Sequence, residues 1–119
     1  MNDNDPSQGT TTIAPDVLLT IAQLTTLNVN GVSRLSHVQT PVNQLLKRTQ
    51  KREGVIIELV DDVVYLDIYV ILNNDVNVRD VSHNIQREVS RAISEMVGMV
   101  VGKVNIHIED VDYPPEAEV

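Results

Sequence analysis

The chain has 119 residues, 42% of them hydrophobic and 22% charged, with a net charge of −8 and no Cys, Phe or Trp. At this length one domain is expected, burying roughly two-thirds of the surface its unfolded chain exposes, and without cysteine there is no disulfide framework, thiolate nucleophile or Cys-type zinc site. The apolar share is almost wholly Val, Ile and Leu, which suits a thin helix-on-sheet domain, and no apolar run approaches the ~20 residues that a membrane span needs.

Residues 1–9 are polar, hold nothing whose burial would be favourable and read as a disordered tail. Met1-Asn2-Asp3-Asn4-Asp5 is acidic where a signal peptide is basic, so a cytoplasmic protein is expected. Thr10-Thr11-Thr12-Ile13 is β-prone and runs into Ala14-Pro15-Asp16, where proline suits a first helical turn and the carboxylate complements the helix dipole. The helix starting there carries Val17, Leu18, Ile21, Ala22 and Leu24 as one apolar stripe, and Asn28 to Gly31 end it. Gly31 to Val38 alternates and reads as a short strand. Between Gln39 and Glu53 the chain fits either a short helix or a mobile connection. Its Lys47, Arg48, Lys51 and Arg52 read as a solvated turn, with a patch for an acidic partner or lipid headgroups as the sharper alternative.

Gly54 to Asn74 reads as a hairpin: Val55 to Val60, the turn Asp61-Asp62, then Val63 to Leu72. A two-residue turn sets Leu59 opposite Val64, Ile57 opposite Leu66 and Val55 opposite Ile68, an aliphatic face that Val70 and Leu72 extend. The other face holds Ile56, Glu58, Tyr65, Asp67, Tyr69 and Ile71, a mixed set that calls for cover by a loop, a second helix or another subunit. Asn77, with Asp80 three residues on, caps a long helix carrying Val78, Val81, Ile85, Val89, Ala92, Ile93 and Met96, which Gly98 ends. A last strand, Val100 to Val111, alternates Val104, Ile106 and Ile108 with Lys103, Asn105, His107 and Glu109. Together these elements predict an α+β domain over residues 10–113, a two-layer structure whose mostly antiparallel sheet has amphipathic helices on one face. An acidic tail, 114–119, follows it.

Site chemistry is sparse. His37, His83 and His107 have no ligand spacing, and the acidic groups Asp61-Asp62, Asp67, Asp110 and Asp112 follow no calcium-loop pattern, so they read as a solvated turn and a frayed strand end. No metal, cofactor or catalytic residue is expected: the glycines form no phosphate loop, and no serine sits in a nucleophile elbow. Residues 1–53 hold five bases against four acids, and residues 54–119 four against thirteen, a field that repels nucleic acid. One local reversal stands out. Arg79, His83, Arg87 and Arg91 recur every four residues along the long helix, as either a solubilising face or a docking stripe for an acidic partner.

In this order, Thr12-Ile13-Ala14-Pro15-Asp16-Val17-Leu18, Asn30-Gly31-Val32, Gly54-Val55, Val64 to Leu72 and Asn77 to Val97 leading into Val104-Asn105-Ile106-His107-Ile108 resemble the bacterial alkaline-shock, or envelope stress response, family. The likeness covers about residues 10 to 113 and includes no catalytic signature. Ala14 departs from it, standing where the family has a capping Ser, and residues 39–53 match nothing in it. The resemblance implies a non-enzymatic protein of envelope homeostasis that works by protein association, self-association included. In some members it also implies recruitment to the inner face of the cell membrane by an integral-membrane partner, without insertion of its own, a free cytoplasmic role being the alternative. The candidate surfaces are Tyr65, Asp67 and Tyr69 on the sheet and the stripe Arg79, His83, Arg87 and Arg91. The alternative from another class is a small RNA-binding module, against which stand the acidic charge, the lack of Phe and Trp and the absence of a Gly-x-x-Gly loop.

Overall fold

The computed structural model describes residues 9–38 and 49–114. In chain order its elements are α1 (Pro15–Leu27), β1 (Val32–Leu35), β2 (Thr49–Arg52), β3 (Val55–Val60), β4 (Val63–Asn73), α2 (Val78–Val97) and β5 (Val100–Asp112). They form an α+β domain of two layers, a five-stranded sheet with both helices on one face.

The sheet is organised on β4. Along one edge of β4, β3 pairs antiparallel over Val63–Ile68 and β1 over Val70–Leu72, while β5 runs parallel along the other edge from Val63 to Asn73. The two shorter strands meet at Tyr69, whose N–H donates to the Gly54 carbonyl and whose carbonyl accepts from Ser36 N–H, both at 2.8 Å. Glycine is required at this junction: Gly54 has φ 79°, and a Cβ on it would lie 2.7 Å from Cβ of Leu35. The parallel β4–β5 pairing follows from chain order, because α2 carries the chain back over the sheet and two parallel strands need such a crossover.

The hairpin has the register expected from its alternation: Val55 faces Ile68, Ile57 faces Leu66 and Leu59 faces Val64. Asp61 and Asp62 close it with φ of 51° and 67°, the left-handed pair that a tight hairpin turn demands. Val55, Ile57, Val64, Leu66, Ile68, Val70 and Leu72 are all buried, and they form one core with Leu18, Leu19 and Ala22 of α1 and with Val81, Ile85, Val89 and Ile93 of α2. The side chain of Asn77 accepts a hydrogen bond from Asp80 N–H at 3.0 Å, and Gly98 ends α2 in the left-handed conformation at φ 78°.

Several sequence expectations are corrected. Thr10 to Ile13 form no strand, and β1 is confined to Val32–Leu35. The segment expected to be a helix or a connection holds, within its described part, the strand β2, antiparallel to β3; its residues 39–48 lie outside the described residues. Arg52 on that strand belongs to no solvated turn: it donates to Thr20 Oγ1 at 2.6 Å and lies 3.3 Å from Asp16, tying β2 to α1. The α1 stripe agrees with the expected one at Leu18, Ile21 and Ala22 and departs from it at Val17 and Leu24. The helix packs along Leu18, Leu19, Ile21, Ala22 and Thr26, which leaves Val17 exposed and Leu24 57% exposed. On α2, Val78 and Met96 sit on the first and last turns, past the residues that the sheet covers, and Met96 is 70% exposed.

Ala14 occupies the N-cap of α1 with extended backbone (φ −69°, ψ 142°) and no side-chain cap. Ala14→Ser places a hydroxyl where the first-turn N–H groups need an acceptor and is expected to raise stability by about 1 kcal/mol in urea unfolding.

Candidate functional site

The face of the sheet turned away from the helices carries the candidate residues, and the register sets them in rows. Glu58, Tyr65 and Lys103 form one row, Ile56, Asp67 and Asn105 the next, then Tyr69 beside His107, then Arg34, Ile71 and Asp110. Among the described residues no element lies over this face, and Tyr65, Asp67 and Tyr69 are half-buried only by their neighbours.

Within it the side chains are ordered. The rings of Tyr69 and His107 stack at 4.3 Å between centroids with 11° between planes. His107 Nε2 lies 2.9 Å from Asp67 Oδ1, and Asn105 Nδ2 donates to the same oxygen at 3.2 Å. With its proton on Nε2 the imidazole donates to the carboxylate, which holds the ring flat against Tyr69. Tyr65 lies over Gly102: a Cβ on that glycine would come within 2.5 Å of Tyr65 Cε1 and 2.9 Å of Cζ. Sequence reasoning brought together Tyr65, Asp67 and Tyr69, which share β4 at two-residue spacing. It did not include Gly102, Asn105 or His107 in the site, because their position beside β4 depends on the parallel pairing of β5. The outward alternation of Lys103, Asn105 and His107 was the only available signal.

At the far end of this face the Arg34 guanidinium reaches across β4 to Asp112, with Nε at 2.9 Å and Nη2 at 3.2 Å from the two carboxylate oxygens, and Ser33 Oγ donates to Asp112 at 2.6 Å. Asp112 is therefore part of a strap between β1 and β5 and not a frayed end. Ile71, in the row beneath, is only 6% exposed although it faces outward. The hydrogen bonds from Arg34, then from Ser33, hold the Asp112 carboxyl below the usual carboxylate range, and the hydrogen bond to Asp112 in turn raises Arg34 above the ordinary guanidinium value.

The second candidate surface lies on the opposite layer. Arg79, His83, Arg87 and Arg91 are all exposed on α2. Arg87 donates to Asn84 at 2.8 Å and lies 3.5 Å from Glu88, and Arg91 lies 3.3 Å from Glu95. Such exposed pairs contribute at most ~1 kcal/mol and leave the guanidinium groups available. The fold does not join this stripe to the tyrosines, because the core stands between them. Among the described residues no three His, Asp or Glu side chains converge into a metal-ligating group.

The sequence matches the model of the alkaline shock protein 23 family, described by a cell envelope-related function, over residues 3–113. The protein YqhY of Bacillus subtilis (strain 168) is 25% identical over 119 residues, covering 99% of this chain and 88% of that one. Spy1535 of Streptococcus pyogenes serotype M6 is 34% identical over 104 residues, 87% of this chain and 79% of that one. Among solved structures, the copper form of the MamM C-terminal domain superposes with a TM-score of 0.48 at 10% identity, covering 87% of this chain and 90% of that one, a distance at which neither fold nor ligand carries over.

Gly102→Ala forces Tyr65 off its seat and also brings Cβ within 2.9 Å of Val63 Cγ1, so it is expected to destabilise the domain by about 1–3 kcal/mol, as overpacking does; the part due to Tyr65 should disappear when the substitution is made in a Tyr65→Ala background, measured by thermal unfolding. The depressed carboxyl of Asp112 gives a second expectation. Its contribution to stability is complete above the ordinary carboxylate range and is lost as pH falls through the lowered folded-state value, so stability decreases below about pH 4. An Asp112→Asn variant should have a flatter acid limb in unfolding measured against pH.

Proposed function

The chain belongs to the alkaline shock protein 23 family, whose function is cell envelope-related, and from that membership we propose that it acts without catalysis, by protein–protein association in which the outer sheet face is the main docking surface. One observation carries this reading: Tyr65 and the Tyr69–His107 stack stay half-exposed on a sheet face that no described element covers, while the helices occupy the opposite face. Aromatic groups held rigid by their neighbours bring large contact area with little entropy left to lose, which is what interface anchors need. The stripe Arg79, His83, Arg87 and Arg91 is the second surface, suited to an acidic partner or an acidic patch of another copy. Among the described residues no helix is long and apolar enough to cross a membrane. In this reading a place at the inner face of the cell membrane comes through an integral-membrane partner.

An open sheet with exposed aromatic side chains is also the layout of RNA-stacking domains. Here Glu58, Asp67, Asp110 and Asp112 share the face with those rings, outnumber Arg34, Lys51 and Lys103 on it and oppose phosphate.

The test is affinity capture of the tagged protein from its native cells with membranes solubilised. A small integral-membrane protein is expected to be recovered, and to be lost from Tyr65→Ala/Tyr69→Ala, from Arg87→Glu/Arg91→Glu, or from both. Recovery unchanged in both double variants would overturn the surfaces, and a shift of RNA at low salt in a gel would move the assignment to nucleic acid.

A further inference from the structure

β5 ends the sheet with an edge that no described strand covers, since it pairs with β4 alone. Such an edge is a row of unpaired N–H and C=O groups and a template for another strand. Two irregularities in the β4–β5 register, at Gly102 and at Glu109, confine its regular run to Lys103–Ile108. Along that run Val104, Ile106 and Ile108 point to the helix layer and Lys103, Asn105 and His107 to the outer face. Val104 is buried, but Ile106 and Ile108 are half-exposed because no described strand stands beyond them.

We propose that this edge pairs antiparallel with the same edge of a second copy, about a twofold axis through Ile106, joining two five-stranded sheets into one. The inference deepens the association reading by committing to one occupant, and it uses neither the tyrosines nor the arginine stripe. Self-complementarity carries it. With the axis at Ile106, Val104 faces Ile108, Ile106 faces its own copy and Asn105 faces His107 within the regular run, and at each end of it Lys103 comes opposite the irregularity at Glu109. Lys103 is the one Lys or Arg on β5. Moving the axis to Asn105 sets Val101 against Glu109, and moving it to His107 sets Val104 against Asp110 and leaves Lys103 facing Val111.

The backbone agrees. Gln86 Nε2 of α2 donates to the Val104 carbonyl at 3.0 Å, a bond open to an edge carbonyl that lacks a neighbouring strand. Backbone direction alternates along a strand, so Ile106 and Ile108 turn their polar groups to that same open edge, and the pair at Ile106 exchanges two hydrogen bonds. In the single copy Gln86 occupies the acceptor that Ile108 N–H of a second copy would take.

Sedimentation equilibrium of the full chain over a concentration series tests the pairing. A concentration-dependent dimer is expected, weakened about tenfold or more by Lys103→Glu, which sets like charges opposite at two places. The double variant Lys103→Glu/Glu109→Lys, in which the pair is reversed, should restore it, and circular dichroism checks that each variant is folded. Tyr65→Ala/Tyr69→Ala should leave the dimer intact even where it abolishes partner capture. A monomer at every concentration, a dimer insensitive to Lys103→Glu, failure of the charge-swapped variant to recover, or a dimer that depends on the tyrosines would each overturn edge pairing.

Discussion

Burial of the aliphatic face of β4 against the two helices is the interaction on which the rest of the domain depends. Val64, Leu66, Ile68, Val70 and Leu72 alternate along one strand, and each is fully excluded from water. A buried side chain of this kind contributes about 1.5–3 kcal/mol, so the run outweighs any exposed ion pair in the molecule, each worth at most ~1 kcal/mol. Because β4 also lends both of its edges to neighbours, shifting it by one residue would turn the whole core outward and break three strand pairings at once.

That commitment decides the opposite face without further information. Once the even-numbered residues of β4 are core, Tyr65, Asp67, Tyr69 and Ile71 must face outward, and how they are satisfied there depends on β5 and β1. The imidazole of His107 lies flat on Tyr69 and is held by Asp67, Gly102 makes room for Tyr65, and the Arg34–Asp112 strap spans the row that holds Ile71. The result is a surface with ordered aromatic groups and both signs of charge, suited to recognition by shape and hydrogen bonding more than by net field.

The helix layer is built differently. α2 is amphipathic with a narrow buried stripe, Val81, Ile85, Val89 and Ile93, and its basic residues rotate slowly around the solvent side. Its partners Glu88 and Glu95 temper the positive charge at Arg87 and Arg91, while Arg79 and His83 make no side-chain hydrogen bond or ion pair among the described residues. Sheet face and helix stripe thus look in opposite directions, and the β5 edge lies between them.

Alternation of period two made β3, β4 and their register legible from sequence alone, because the Asp61-Asp62 turn leaves no freedom in how the flanking residues face one another. The limits of α2 were legible for a similar reason, since Asn77 and Gly98 act on the backbone within one turn of themselves. β2 was not, because Thr49 to Arg52 has no apolar alternation and becomes a strand only by pairing with β3. The face of α1 was legible only in part, at Leu18, Ile21 and Ala22, because the helix is apolar nearly all round, from Val17 to Leu27, and only contact with the sheet and α2 selects Leu19 over Val17 and Leu24. Residues close in the chain therefore determined the hairpin, the helix ends and the outward set Tyr65, Asp67 and Tyr69. The tertiary structure alone decided that His107, Asn105 and Gly102 stand beside them, because the partner of an edge strand is set by where a twenty-residue crossover helix returns the chain, and no local pattern encodes that.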